Sequence, residues 1–171
     1  MSPGDLLADR FEIEQLAGSG GSGRVYRARD LRTGEAVAVK VLHGAEIDTY
    51  AERFAREARV LSVLSHPGIV RYVAHGTTAA GEPYLAMEWL DGESLRDRIA
   101  RRELSLREAV ELVRNVAAAL GAMHRAGIVH RDLKPGNLFL IGGEVSALKI
   151  IDFVIARIST TAEEITHTVL M

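Results

Sequence analysis

The sequence has no cysteine, only four prolines and a single tryptophan among its 171 residues. The absence of cysteine excludes disulfides, thiolate catalysis and cysteine-ligated metal sites. No apolar run approaches the roughly 20 residues of a membrane helix, and the first ten residues lack the order of a signal peptide. The 21 basic and 23 acidic residues nearly balance, so there is no electrostatic footprint for nucleic acid. We therefore expect a cytoplasmic protein with neither a nucleic-acid partner nor a membrane segment.

Lysine is also scarce, since 18 of the 21 basic residues are arginine and the lysines are Lys40, Lys134 and Lys149. A chain with this preference can keep lysine where a compact point charge is needed. Lys149 falls within a predicted strand, where we expect it to be a surface residue.

Hydrophobic alternation in the first half of the chain predicts a five-stranded antiparallel sheet. The predicted strands are centred on residues 11–14, 25–28, 35–41, 69–73 and 84–88. A helical period over residues 47–64 predicts one helix. Glu57 shares the apolar stripe of that helix, and a carboxylate in such a position needs a cationic partner.

The second half is predicted to be mainly helical. A short helix is expected over residues 94–101 and a long one over 106–126, where Ser105 and Glu108 form a capping box. Residues 138–141 and 148–151 predict a small hairpin, and residues 156–171 show no period and are predicted as a loop. The apolar face of the long helix consists of Ala109, Leu112, Val113, Val116, Leu120 and Met123.

A glycine-rich run lies in the first predicted hairpin and consists of Gly18, Ser19, Gly20, Gly21, Ser22 and Gly23. Arg24 and Val25 stand where a P-loop needs lysine and then serine or threonine, and a strand follows where a dinucleotide fingerprint needs a helix. Two interpretations remain, a flexible linker and a hairpin whose backbone N–H groups approach phosphates.

Two further groups of residues carry chemistry. Alternation places Ala38 and Lys40 on one strand face, and a pair between Lys40 and Glu57 would hold the ammonium group toward the phosphates of a nucleotide. The second group consists of Asp132, Lys134 and Asn137 within His-Arg-Asp-Leu-Lys-Pro-Gly-Asn, with Asp152 after the next hairpin. Phosphoryl transfer from a magnesium nucleotide needs a carboxylate at the attacking hydroxyl, a cation at the phosphate and oxygen ligands for the metal.

Together these motifs resemble the protein kinase family, in particular the eukaryotic-like (Hanks-type) serine/threonine kinases of bacteria, from about Phe11 to Phe153. The resemblance implies an α+β, protein-kinase-like fold. It divides the chain into an N-terminal extension (1–10), an N-lobe with a five-stranded antiparallel sheet and one helix (11–90), and part of a mainly helical C-lobe (91–171) that ends in the activation segment.

The resemblance also implies ATP and Mg2+ as cofactors, with the glycine run covering the ATP. Lys40 would contact the α and β phosphates while pairing with Glu57. Asp132 would accept the proton of the substrate hydroxyl, Lys134 would stabilise the γ-phosphate, and Asn137 with Asp152 would bind magnesium. Further positions implied at the nucleotide are Val25, Ala38, Phe139 and the hinge residues Met87, Glu88 and Leu90.

The implied partner is a protein with serine or threonine acceptors, since tyrosine kinases usually carry other residues at the position of Lys134. Autophosphorylation is a further expectation, because five hydroxyl residues lie where the family has its activation loop. They are Ser159, Thr160, Thr161, Thr166 and Thr168.

The sequence departs from the family at two points. Val154 stands where the glycine after Asp-Phe is expected, and a β-branched residue reaches the backbone angles of that glycine only with strain. No Ala-Pro-Glu occurs, because the prolines are Pro3, Pro67, Pro83 and Pro135. These departures favour a nucleotide-binding pseudokinase or regulatory module as an alternative. A small-molecule phosphotransferase of kinase-like fold is another, although Lys134 argues against it.

Overall fold

The structure, a computed structural model, describes residues 1–20, 23–42, 58 and 62–151. Its larger sheet is antiparallel, with six strands in the order β1-β2-β3-β4-β6-β5 among the described residues. The strands are β1 Leu6–Leu7, β2 Phe11–Gly20, β3 Gly23–Asp30, β4 Ala36–Val41, β5 Tyr72–Thr77 and β6 Pro83–Glu88. The five predicted strands are thus present, and β1 adds a short sixth that pairs with the start of β2.

The fifth strand starts later than residue 69, where the sequence placed it. Ile69 forms an isolated bridge with Ile150, and the Val70 N–H donates to the Ile150 carbonyl at 3.0 Å. These two apolar residues therefore contact the second half of the molecule and do not extend the larger sheet. The helix predicted over 47–64 lies outside the described residues, apart from Ala58 and 62–64.

Alternation divides the larger sheet into a closed and a half-open face. The closed face forms a hydrophobic core that includes fully buried Phe11, Val39 and Ala86. On β4 and β6, the residues that alternate with these buried ones point to the other face and are only half-buried. That second face is therefore available for a ligand.

The second half contains helices α1 Leu95–Arg101 and α2 Leu106–Arg125 and a three-stranded sheet of β7 Gly92–Ser94, β8 Leu138–Ile141 and β9 Leu148–Ile150. The predicted helices and hairpin are confirmed, whereas β7 was not predicted. The capping box is present, since the Ser105 hydroxyl accepts from the Glu108 N–H and the Glu108 carboxylate accepts from the Ser105 N–H.

Helix α2 packs on this sheet through Met123 and Ala119, which are fully buried in a second hydrophobic cluster. Leu112, Val116 and Leu120, three residues of the predicted apolar face, pack against the same cluster. Val113, also on the predicted apolar face, is 66% exposed. It lies three residues after Val110 and therefore shares the outward side of the helix with that residue, which is also exposed. No helix in the described ranges is long and apolar enough to cross a membrane.

Candidate active site

The half-open face of the larger sheet brings the predicted nucleotide-binding residues together. Strand register places Gly18 opposite Val25, Val25 opposite Lys40, and Ala38 opposite Met87. Directly opposed residues of an antiparallel pair share a face, and Ala38 shares that face with Lys40 two residues later. Four strands thus contribute to one continuous surface.

The glycine run is part of a hairpin, and the interpretation as a flexible linker was wrong. Ser19 pairs with Arg24 and Gly20 with Gly23, so the two strands remain paired to the last described residues on either side of Gly21 and Ser22, which lie outside the described residues. A Cβ on Gly23 would lie 2.1 Å from the Val41 carbonyl oxygen, and its φ is +136°. Only glycine fits there.

Gly18 and Gly20 differ from Gly23, because a Cβ at either would meet nothing within 4 Å among the described residues. The described part of the protein therefore gives no steric reason for glycine at these two positions. Their missing side chains leave the inner edge of the hairpin open, as the close approach of an anion to backbone N–H groups requires.

Lys40 lies in β4 between β3 and β6 and is half-buried on the open face. Glu57 lies outside the described residues, so the pair of Lys40 with Glu57 remains a prediction. The remaining cofactor positions are also half-buried, with Leu90 after β6 and Phe139 on β8.

The loop before β8 brings together three predicted catalytic and metal-binding residues. Lys134 Nζ donates to Asp132 Oδ2 at 2.6 Å, and Asn137 Nδ2 donates to the Asp132 carbonyl at 2.8 Å and to Oδ2 at 3.2 Å. The hydrogen bond from Lys134 is the main cause that holds the pKa of the Asp132 carboxyl below its usual range. Asp132 is therefore a carboxylate at neutral pH.

Hydrogen bonds of His130 and Ile151 hold this loop in place, a relationship that the sequence did not predict. His130 is 3% exposed, and its Nε2 lies 3.3 Å from the Ile151 carbonyl while its Nδ1 accepts from the Asp132 N–H at 3.3 Å. The Ile151 N–H donates to the Asn137 carbonyl at 2.9 Å. The end of β9 is thus tied to the loop on both sides of Asp132. The sequence signal that could have predicted these bonds is a histidine two residues before an aspartate.

The same loop has an unusual backbone at Arg131, whose φ is +60°. A non-glycine residue in this region of backbone space is uncommon and persists where the surroundings hold it. Its neighbours on both sides, His130 and Asp132, provide hydrogen bonds that do so. The strained residue adjoins the candidate base.

Asn137 is 4% exposed and suits a metal ligand. Among the described residues, the side-chain hydrogen bonds of Asn137 use Nδ2, so its amide oxygen Oδ1 is a candidate hard oxygen ligand of the kind that Mg2+ prefers. Asp132 supplies carboxylate oxygens beside it, while Asp152, the other predicted ligand, lies outside the described residues. Asn137 therefore fits the role of a magnesium ligand, while the described part contains no cluster of three or more His, Asp or Glu residues able to hold a metal ion.

Comparison with known proteins agrees with this geometry. The family described as "Protein kinase domain" matches residues 11–170. The chain is 38% identical over 168 residues to serine/threonine-protein kinase PknB of Mycobacterium leprae, covering 95% of this chain and 27% of that protein. It is 40% identical over 177 residues to PknA of Mycobacterium tuberculosis, covering 98% of this chain and 40% of that protein.

The fold matches a crystal structure of the Mycobacterium tuberculosis PknI kinase domain with a TM-score of 0.82 and 30% identity, covering 92% of this chain and 62% of that one. The chain belongs to the protein kinase family. It spans about a quarter of the length of the PknB relatives and somewhat under two thirds of the solved PknI domain.

Proposed function

We propose that this chain is part of a serine/threonine protein kinase, which transfers the γ-phosphate of ATP to serine or threonine hydroxyls of a protein. The cluster of Asp132, Lys134 and Asn137 carries the proposal. It combines a carboxylate held ionised, an ammonium group 2.6 Å from it and a buried amide oxygen in one loop. These are the groups that phosphoryl transfer needs.

In the proposed mechanism Asp132 orients the acceptor hydroxyl and takes its proton. Lys134 moves between the Asp132 carboxylate and the γ-phosphate, where its charge offsets the charge that develops during transfer. Asn137 Oδ1 and Asp152 would hold magnesium, which when bound neutralises charge on the phosphates. His130 and Ile151 keep the loop fixed, so little reorganisation is needed when the acceptor arrives.

The half-open sheet face supplies the nucleotide site in this proposal. The hairpin closed by Gly23 covers the phosphates, and Lys40 reaches them from β4 while pairing with Glu57. Met87, Glu88 and Leu90 receive the adenine. ATP as phosphate donor fits a cytoplasmic location, and the serine and threonine residues over 159–168 are the proposed autophosphorylation sites.

The test measures transfer from radiolabelled ATP with Mg2+ to three acceptors: a mixture of serine, threonine and tyrosine peptides, the chain itself, and a small alcohol such as choline. We expect label on serine or threonine, and its loss in Asp132→Asn. Glu144→Gln, a neutralised carboxylate in the exposed turn between β8 and β9, is the matched control and should keep activity.

Transfer only to the small alcohol would identify a small-molecule phosphotransferase and contradict the proposal. ATP binding without any transfer would identify a nucleotide-binding pseudokinase. Label on tyrosine alone would contradict the serine/threonine assignment.

A further inference from the structure

An ion pair joins the two halves of the molecule at the hinge. Lys149 Nζ on β9 donates to Glu88 Oε1 at the end of β6, and the two residues are 61 positions apart in sequence. The exposed fractions of the two side chains are 16% and 18%, so Lys149 is not the surface residue that the sequence predicted. An ammonium and a carboxylate at this depth must satisfy each other, because either one alone would remain charged with little solvation.

The same carboxylate also holds the connection that leads into β5. The Arg71 N–H donates to Glu88 Oε1 at 2.7 Å, and the Glu88 N–H donates to the Arg71 carbonyl at 3.0 Å. One side-chain oxygen of Glu88 therefore accepts from two elements, β9 and the residue before β5. The contacts of Ile69 and Val70 with Ile150 reinforce this junction.

The position of Lys149 relates this junction to the nucleotide site. Lys149 is paired in register with Phe139 on β8, so the two side chains lie on one face of the smaller sheet. Phe139 is a proposed nucleotide-binding residue, and Glu88 belongs to the proposed adenine-binding hinge. The ion pair thus connects the β8–β9 hairpin and the hinge, two parts of the proposed nucleotide site.

We infer that Lys149 is a positioning residue that fixes the hinge at Glu88 against the β8–β9 hairpin and so sets the separation between the surfaces that enclose the adenine. This inference deepens the proposed function and rests on it. Exposed ion pairs contribute little to stability. The pair of Lys149 and Glu88 is largely shielded from water and links two sheets. We therefore expect its loss to increase the mobility of the hinge.

The first experiment is hydrogen exchange on the nucleotide-free chain, compared among wild type, Lys149→Met and Lys149→Arg. The matched control is Arg101→Met, which removes the ion pair of Arg101 with Glu93 inside the second half, at 2.5 Å. In Lys149→Met we expect the backbone amides of Glu88 and Trp89 to exchange about ten-fold faster, since local opening sets their exchange. Strands β2 and β3 should be unchanged, and Lys149→Arg and the control should resemble wild type.

Unchanged exchange at the hinge in Lys149→Met overturns the inference. So does an equal increase throughout β2 and β3, because it would show general destabilisation. This readout does not depend on nucleotide, so it decides on the hinge contact even if the chain fails to bind ATP, a result that would contradict the proposed function.

The second experiment measures MgATP affinity of the same variants by calorimetry. We expect Lys149→Met to weaken binding about ten-fold, or 1.4 kcal/mol, with recovery in Lys149→Arg and no change in Arg101→Met. Wild-type affinity in Lys149→Met overturns the positioning role, even where exchange at the hinge is faster.

Discussion

Lys134 Nζ lies 2.6 Å from Asp132 Oδ2, so the candidate base and the candidate phosphate-binding cation are hydrogen-bonded to each other. The contact keeps the pKa of the Asp132 carboxyl below its usual range, with Asn137 adding a further hydrogen bond. In the proposed mechanism, this is the position of Lys134 before the acceptor and the nucleotide bind. This relationship gives the first prediction.

Lys134→Met should raise the pKa of Asp132 toward its ordinary value, because the strongest stabiliser of the carboxylate is removed. Carbon-13 NMR of the side-chain carboxyl group, followed against pH, measures this pKa. Lys149→Met is a lysine-matched control and should leave the Asp132 titration where it is. An unchanged titration in Lys134→Met would contradict the hydrogen bond between Lys134 and Asp132.

The glycines of the hairpin should respond differently to alanine. Gly23→Ala places a Cβ 2.1 Å from the Val41 carbonyl oxygen at a φ of +136°, so we expect a loss of about 1–3 kcal/mol in the free energy of unfolding. Gly20→Ala meets no described residue within 4 Å and should unfold like wild type, while binding MgATP more weakly because the new methyl would enter the space proposed for the phosphates. Denaturant unfolding and calorimetry measure the two effects. Equal stability of both variants would contradict the steric account.

A buried ion pair closes the start of the larger sheet and predicts a pH-dependent stability. Arg10 Nε donates to Asp30 Oδ1 at 2.9 Å and Nη2 to Oδ2 at 2.7 Å, and Asp30 is 1% exposed. The bonds from Arg10 are the main cause that lowers the pKa of Asp30. Arg10→Met leaves that carboxylate buried without its cation, which should cost about 3 kcal/mol at neutral pH.

The sign of the pH effect follows from the lowered pKa. The contribution of Asp30 is present above the pKa of an unfolded aspartate, about 4, and is lost as the pH falls through the lower pKa of the folded state. The difference in unfolding free energy between wild type and Arg10→Met should therefore shrink on acidification. Urea unfolding at pH 7 and at pH 3 tests this, and a difference that grows at low pH would contradict the assignment.

Sequence patterns predicted the elements whose own residues determine them. Helix α2 is such a case, because Ser105 and Glu108 cap it and its periodic apolar residues pack on the smaller sheet. The half-open sheet face was predictable for a similar reason, since alternation alone puts Ala38 and Lys40 on one side. The loop of Asp132 and Asn137 followed from a motif whose residues lie only a few positions apart.

Features that depend on distant partners were not predictable in this way. Strand β7 has three residues and exists because β8 pairs with it. Strand β5 starts late because Ile69 and Val70 bond to Ile150, far along the chain. Lys149 looked like a surface residue because its partner, Glu88, belongs to the other sheet. Val113 lies on the predicted apolar face and is nevertheless exposed, because periodicity alone does not say which apolar positions of a helix contact the neighbouring sheet.

Calorimetric titration of MgATP into the chain, compared with Lys40→Met, tests the central claim that the half-open face and the loop of Asp132 form one nucleotide site. Adenosine serves as the reference ligand because it lacks phosphates. We predict that wild type binds MgATP more tightly than adenosine, and that Lys40→Met loses most of this difference while binding adenosine as before. No binding of MgATP by wild type, or unchanged MgATP binding by Lys40→Met, would contradict it.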